Sequence, residues 1–233
     1  MYVMYNGKEY MSETTLYLIR HGATDANLRR PYILQGSGIN LPLNETGQEQ
    51  AALVGTFLSG LPIQHVYSSP LIRAKQTAEA IARHHQLGVA AVEDLQECNV
   101  GRWEGMDWGS ISQQHPEEYK AFMENPSLMP YLGGESYADV QKRATPAINQ
   151  LLKQHSGETV VIVAHNVVNR AYISGILGQD LRFAKDLRQS NCCVNILKHE
   201  EGATRLITMN SHFHTQEPHK SYFTQFGQAV KAG

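Results

Sequence analysis

Apolar positions along the chain follow two alternating rhythms. Thr15 to Gly22 reads Thr-Leu-Tyr-Leu-Ile-Arg-His-Gly, a β-rich burst that stops at Arg20-His21-Gly22 as a buried strand does when it feeds a loop. The segment that follows, to about Asn44, holds Pro31, Gly36, Gly38 and Pro42 and is too long for a mere connector, which marks a functional loop. Ala51, Val54, Leu58 and Leu61 then recur at helical spacing until Gly60-Leu61-Pro62 closes the pattern. His65 to Ser69 predicts a second strand, and Ser69-Pro70 a helix start with serine as N-cap and proline at the first helical position. Leu71, Ala74, Ala78 and Ile81 form that helix's apolar face, which puts Arg73 in its first turn.

Val-Ala-Ala-Val-Glu-Asp-Leu (89–95) predicts a third strand leading to Glu97. From Gly101 to Gly134 the pattern turns irregular and rich in Trp, Met, Pro and Tyr, an excursion over one edge of the domain that reads as a lid. A long helix opens at Gly134-Glu135-Ser136, with Ser136 and Asp139 at capping-box spacing. Pro146 lies inside it, and an interior proline costs about 3 kcal/mol, so a kink or break is expected between Lys142 and Pro146. Glu158 to Ala164 is the most strand-like run and ends at His165; a helix from Val167 to Leu177, a short one from Asp180, and strands over 193–198 and 205–209 complete the chain.

Strands alternating with helices at this spacing predict an α/β fold: a mostly parallel central sheet covered on both faces. The expected organisation is an N-terminal extension (1–14), a single domain (15–211) whose lid spans about 101–134, and a C-terminal tail (212–233). In such sheets ligands bind beyond the carboxyl ends of the strands, where Leu-Tyr-Leu-Ile-Arg-His21 and Val-Val-Ile-Val-Ala-His165 each place a histidine. Two histidines should therefore meet.

The chain has 233 residues, 42% of them hydrophobic, ample for a core, so disorder is excluded. A formal net charge of −2 argues against a nucleic-acid partner. No apolar run reaches the roughly 18 residues of a membrane helix, and the first dozen residues lack a secretory segment. Cys98, Cys192 and Cys193 form neither a disulfide framework nor a zinc pattern, which fits a reducing cytoplasm. A homodimer is among the states the sequence leaves open.

Arg20 and Arg73 converging on the two strand ends would make an anion site, since the guanidinium fork matches phosphate oxygens two at a time. The helix opening at Ser69-Pro70 would add N–H groups and the positive end of its dipole. In such a pocket a neutral imidazole attacks phosphorus, provided its other nitrogen is hydrogen-bonded; His21 is the candidate nucleophile. Glu97, kept protonated by burial and by the incoming phosphate, would hand its proton to the leaving alkoxide and later activate water. His165, as a cation, would stabilise the equatorial oxygens, so that no metal or other cofactor is needed.

These residues, in this order, resemble the histidine phosphatase superfamily, phosphoglycerate mutase-like branch. The matching blocks are Arg20-His21-Gly22 with Asn27 six residues after the histidine, Leu43 to Gly47, Ser68 to Ala78, Leu95-Gln-Glu97, Gly101 to Gly105, Gly133 to Ser136, and Val160 to His165. The similarity covers about Thr15 to Asn210, most of the chain. The resemblance implies a three-layer α/β/α fold, a phosphohistidine intermediate on His21, a phosphate pocket of Arg20, Asn27, Arg73 and His165, and Glu97 as proton donor. Where the family usually has glycine after the second histidine, this chain has Asn166, whose backbone N–H is expected to serve the same pocket.

Hydrolysis or mutation of a small phosphorylated substrate turns on a second anion site. Between Gly101 and Gly134, Arg102 and Lys120 face five acids: Glu104, Asp107, Glu117, Glu118 and Glu124. A lid this acidic favours a phosphomonoesterase, although Arg29 and Arg30 could hold an acidic substrate tail. Trp103, Trp108, Met106, Met129 and Tyr131 offer an apolar wall, with packing the commoner role for the tryptophans. A phosphoglycerate mutase, a non-catalytic phospholigand-binding protein, and a metal-dependent esterase built on His212, His214 and His219 remain as alternatives. The last is weighed against an exposed polar tail.

Overall fold

The structure, a computed structural model, describes residues 2–5, 8–11 and 13–215. Strands β1 (Tyr2–Tyr5) and β2 (Lys8–Met11) pair antiparallel in a separate two-stranded sheet. The chain then runs through β3 (Thr14–Arg20), α1 (Asp25–Leu28), α2 (Glu45–Leu58), β4 (His65–Ser68), α3 (Ile72–Ala82) and β5 (Val89–Ala91). It continues with α4 (Trp108–Gln114), α5 (Pro116–Glu124), α6 (Tyr137–Gln154), β6 (Thr159–Ala164), α7 (Asn166–Ile176), β7 (Val194–Glu200) and β8 (Ala203–Ser211).

The main sheet has the order β5-β4-β6-β3-β7-β8; β5, β4, β6 and β3 are mutually parallel, and β7 and β8 add on antiparallel. Alternation along β6 explains the layering. Val160 and Ile162 join Ala144, Ile148 and Leu152 of α6 and Val168 and Tyr172 of α7 in one core. Val161 and Val163 point the other way and join Val54 and Leu58 of α2 with Ala74, Ala78 and Ile81 of α3. A strand apolar on both faces, as this run is, belongs at the centre of a sheet covered twice. The fold is thus the expected three-layer α/β/α arrangement with a mostly parallel sheet.

Three local expectations need correction. α3 starts at Ile72 rather than Pro70, with no side-chain cap of its own. Ser69 is diverted: its Oγ lies 2.7 Å from His165 Nε2, and the Ile72 N–H donates instead to Asn40 Oδ1 at 2.8 Å. α6 passes through Pro146 without a break. Pro146 and Lys142 are both exposed, so the ring lies on the solvent side and water can satisfy the carbonyl it orphans. The strand leading to Glu97 stops at Ala91 and gives way to a 3₁₀ turn at Glu93–Leu95.

The 101–134 excursion is packed rather than free. Trp103 is fully buried and meets Trp108, Phe122 and Tyr131 at ring distances of 5.6–6.2 Å. Two of its acids are used structurally: Glu104 Oε1 accepts from the Gly38 and Ile39 N–H groups, and Asp107 caps α4. His214 is not an exposed tail residue, for it stacks on Phe57 at 4.8 Å and its Nε2 lies 3.0 Å from the Cys192 carbonyl. His219 lies outside the described residues.

Candidate active site

Register brings the two histidines together. Arg20 at the end of β3 pairs with Ala164 at the end of the parallel β6, so the next residues, His21 and His165, emerge side by side. Their ring centroids are 5.0 Å apart. His21 is held from behind: its backbone N–H donates to the Ala164 carbonyl at 3.1 Å, and Asn191 Nδ2 donates to its carbonyl at 3.0 Å. The turn after it needs glycine, because a Cβ on Gly22 would meet the Gly47 carbonyl oxygen at 2.6 Å. That close approach seats the loop on the start of α2.

The His21 side chain has a defined tautomer. Nδ1 lies 2.7 Å from the Gly22 carbonyl, which can only accept, so Nδ1 carries the proton and Nε2 keeps a free lone pair. Burial, with Arg73 and then Arg20 adding positive charge, holds this imidazole well below the ordinary 6.5. It is neutral at pH 7.

His165 is wholly buried and its Nε2 faces a hydroxyl. Ser69 Oγ accepts from the Leu71 N–H at 3.2 Å and can donate its own proton to His165 Nε2, which leaves Nδ1 as the N–H. That Nδ1 has no protein partner among the described residues. Burial, Arg73, His21 and Arg20 push this imidazole well below its usual value too, so with no anion in the site it is a neutral N–H donor.

Arg73 is fully buried, its two terminal nitrogens donating to the Ile39 and Gly36 carbonyls at 2.9 and 3.0 Å. Burial pushes it down to about 10, opposed by Glu97, and it stays charged at neutral pH. Arg20 donates to the Gln189 carbonyl at 2.6 Å. Among the described residues neither guanidinium has a carboxylate within ion-pair distance, and Nε of each is buried without a partner. One fully buried and one half-buried guanidinium, without a carboxylate partner among the described residues, beside two neutral imidazoles form a site that favours an anion.

Glu97 is buried at the start of α7. It accepts from the Asn166 N–H at 3.1 Å, the Val167 N–H at 3.2 Å and the Cys98 N–H at 2.9 Å. The Asn166 N–H is therefore engaged by Glu97 and not free for a phosphate, contrary to expectation. Its side-chain oxygen is buried without a partner among the described residues, and the residue lines the neighbouring cavity. Asn27 has a double position: its Oδ1 accepts from the Thr24 N–H at 3.0 Å as part of the α1 capping box, which leaves its NH₂ as the group for a ligand.

Sequence reading missed the support for Glu97. Arg143, on α6, donates to the Asp94, Gln96 and Glu97 carbonyls and forms an ion pair with Glu135 at 2.8 Å, while Glu135 also accepts from the Asn99 N–H. Glu135 lies in the Gly133 to Ser136 block, but its partner eight residues on carries no signal until α6 is folded. A cavity of about 310 Å³ opens beside Glu97 and Asn166, walled by Tyr32, Trp108 and Tyr131 with Arg170 and Lys185 at its edge. These two cations, not Arg29 and Arg30, border it; Arg29 and Arg30 are exposed, and Arg30 is turned onto backbone carbonyls of its own loop. Trp103 packs in the core, and Trp108 reaches the cavity.

Comparison with known proteins agrees with this geometry. The profile of the histidine phosphatase superfamily (branch 1) matches residues 16–212. Phosphoserine phosphatase 1 of Hydrogenobacter thermophilus is 32% identical over 202 residues, covering 87% of this chain and 94% of that one. A metal-independent phosphoserine phosphatase of Arabidopsis thaliana is 38% identical over 162 residues, 68% of this chain and 66% of its own. The solved structure of a phosphoserine phosphatase from Entamoeba histolytica in complex with 3-phosphoglyceric acid superposes with a TM-score of 0.78 at 29% identity, covering 87% of this chain and 100% of that one. With the strand-end histidines, the unpaired guanidiniums and the match across nearly the whole described core, the chain belongs to the histidine phosphatase superfamily and is a hydrolase of phosphoric monoesters.

Proposed function

We propose that the enzyme hydrolyses a small phosphate ester by double displacement, with His21 Nε2 as nucleophile. The observation that carries this reading is the Nδ1–H···O=C bond to Gly22, which leaves a neutral lone pair between two charged guanidiniums. Arg20, Arg73, the NH₂ of Asn27 and the Nδ1–H of His165 cradle the phosphoryl oxygens. Nε2 forms the P–N bond as the P–O bond to the alcohol breaks, and Glu97 delivers a proton to the departing oxygen. Glu97 then takes a proton from the water that attacks phosphohistidine, which frees phosphate and restores His21.

The alcohol portion occupies the aromatic cavity, where Asn166 Oδ1 can accept from it. Relatives named as phosphoserine phosphatases support phosphoserine and 3-phosphoglycerate as the first substrates to assay. The reading includes a single catalytic domain over 15–211 and no nucleic-acid partner. A cytoplasmic setting is supported by three free, buried cysteines, of which Cys193 is pushed up to about 11 by burial. No described helix is long and apolar enough to cross a membrane.

Rapid acid quench during turnover of the best substrate tests the mechanism. An acid-labile phosphoryl adduct should be trapped on His21 and be absent from His21→Ala. A wild-type enzyme that turns over steadily without such an adduct would refute it.

A further inference from the structure

A second group of two histidines and a glutamate lies at the other end of β6, outside the catalytic machinery. His65 opens β4, His155 caps the C-terminus of α6, and Glu158 immediately precedes β6. A seven-residue strand path separates Glu158 from His165, about 23 Å at 3.3 Å per residue, so this cluster and the phosphate site do not share atoms. His65 Nε2 and His155 Nδ1 both point at one oxygen, Glu158 Oε2, at 2.8 and 2.9 Å. The two imidazoles stack with centroids 3.7 Å apart.

We propose that His65, His155 and Glu158 bind a divalent transition-metal ion of the zinc class, in a site that ties β4, α6 and β6 together and takes no part in hydrolysis. Three features carry this. The two ring nitrogens and the carboxylate oxygen all lie within 4.8 Å of one another, so they converge on one point. Zinc bonds of about 2.0–2.1 Å to nitrogen and oxygen set neighbouring ligand atoms roughly 3.3 Å apart in a tetrahedron, so on its two contacts with the rings Glu158 Oε2 would retreat by about half an ångström. It is free to do so, because Glu158 and His65 are partly exposed while His155 is buried and fixed.

The fixing group is the second feature. Tyr67 OH lies 2.7 Å from His155 Nε2, the nitrogen that faces away from Glu158. An outer partner on the non-ligating nitrogen is what orients a metal-binding imidazole and sets its tautomer. In the tautomers that would hold the ion, His155 carries its proton on Nε2, where the tyrosine oxygen accepts it, and His65 carries its proton on Nδ1. The third feature is ligand number. Two imidazoles and a carboxylate leave the fourth position to water on the exposed side, a donor set suited to zinc and unsuited to magnesium or calcium, which take oxygen.

The test uses the untagged full chain stripped with a chelator, titrated with Zn²⁺ by calorimetry and with Co²⁺ by visible absorption. The expected result is one ion per chain with the ligand-field bands of a tetrahedral Co²⁺. With ion at roughly 100 times its Kd, Tm should rise by about 5–10 °C. Glu158→Gln and His65→Asn, both at partly exposed positions, should each weaken binding by at least about tenfold and leave phosphatase turnover unchanged. His212→Asn/His214→Asn should leave binding intact. No stoichiometric binding by wild type, binding unaffected by Glu158→Gln and His65→Asn, or binding lost in His21→Asn would each overturn the proposal.

Discussion

β6 is flanked by two clusters of the same composition that differ in every partner. At its carboxyl end His21, His165 and Glu97 do not bond to one another; each is held by a group that cannot take its place in the chemistry, namely the Gly22 carbonyl, the Ser69 hydroxyl and the N–H groups opening α7. At its amino end His65, His155 and Glu158 bond directly, and the carboxylate satisfies both rings. The first arrangement leaves a lone pair and an N–H unused beside two unpaired guanidiniums. The second leaves a shared point among three ligand atoms. Residue type therefore decides little by itself: the outer hydrogen bonds determine which ring atoms of an imidazole are left free.

Replacing a histidine at each end should separate the two most sharply. His21→Ala is expected to lower kcat by about four orders of magnitude or more, ~5.5 kcal/mol on the barrier, with the fold retained. His155→Ala should leave kcat within about twofold and lower Tm, because it removes a buried ring bonded to Tyr67 and Glu158. Steady-state kinetics and thermal melts of the two purified variants check this. Comparable kcat losses in both would mean that the amino-end cluster feeds the reaction.

Glu97→Gln comes next. An amide can still occupy the place at the start of α7 but cannot supply the proton, so kcat should fall by about 10²–10⁴ for alkyl phosphates. For 4-nitrophenyl phosphate, whose leaving group needs no proton, the loss should be far smaller. Equal losses across leaving groups would remove Glu97 from the acid role. Glu158→Gln, its counterpart, should show no leaving-group dependence at all.

What the sequence discloses about these ends follows from contact range. His21 and His165 are legible because each terminates an apolar strand, and parallel register then has to bring strand ends together. Arg73 follows from helix phase. The Arg143–Glu135 support for the Glu97 segment is invisible to periodicity, since it depends on where α6 lies against a 3₁₀ turn. Arg170 and Lys185 look like surface charge until the 310 Å³ cavity exists. Ser69 misleads: its spacing is that of an N-cap, but a buried imidazole competes for the hydroxyl, and Asn40 caps α3 from another loop. The amino-end cluster joins residues 65, 155 and 158, a spacing with no local motif, and only the adjacency of β4 and β6 discloses it.

Acid should distinguish the ends by the pH at which each contributes to stability. His21 and His165 are held below 6.5 in the fold by burial and by the neighbouring guanidiniums. An imidazole that resists protonation in the native state but not in the unfolded chain contributes stability above its unfolded value, and that contribution is lost as pH falls through the folded one. Glu158 is held below 4.5 mainly by the hydrogen bond from His155, so its contribution is present above about 4.5 and lost at lower pH. Tm measured against pH should thus decline in two stages, with His21→Asn flattening the part below pH 6.5 and Glu158→Gln the part below 4.5. The acid limb of kcat/KM should lie below the ordinary histidine range, since His21 must be neutral to attack. A limb at or above 6.5 would contradict the electrostatics of the site.

The smallest expected effect concerns Asn166, where the carboxyl-end cluster departs from the family's usual glycine. Its N–H donates to Glu97 Oε2 at 3.1 Å, a bond that glycine would preserve, so Asn166→Gly should leave the phosphohistidine step nearly intact and change kcat by less than about threefold. Stability should fall by about 0.5 kcal/mol at most, because the substitution lies at the first residue of α7 rather than in its interior. Selectivity is where it should show. Asn166 lines the cavity and its Oδ1 is buried without a partner among the described residues, so losing that acceptor should raise KM for substrates whose alcohol portion bears a hydrogen-bond donor, leaving aryl phosphates without one unchanged. KM values for phosphoserine and phenyl phosphate with both proteins measure this difference. A uniform rise in KM would instead mean that the Asn166 side chain acts on the phosphate and not on the alcohol portion.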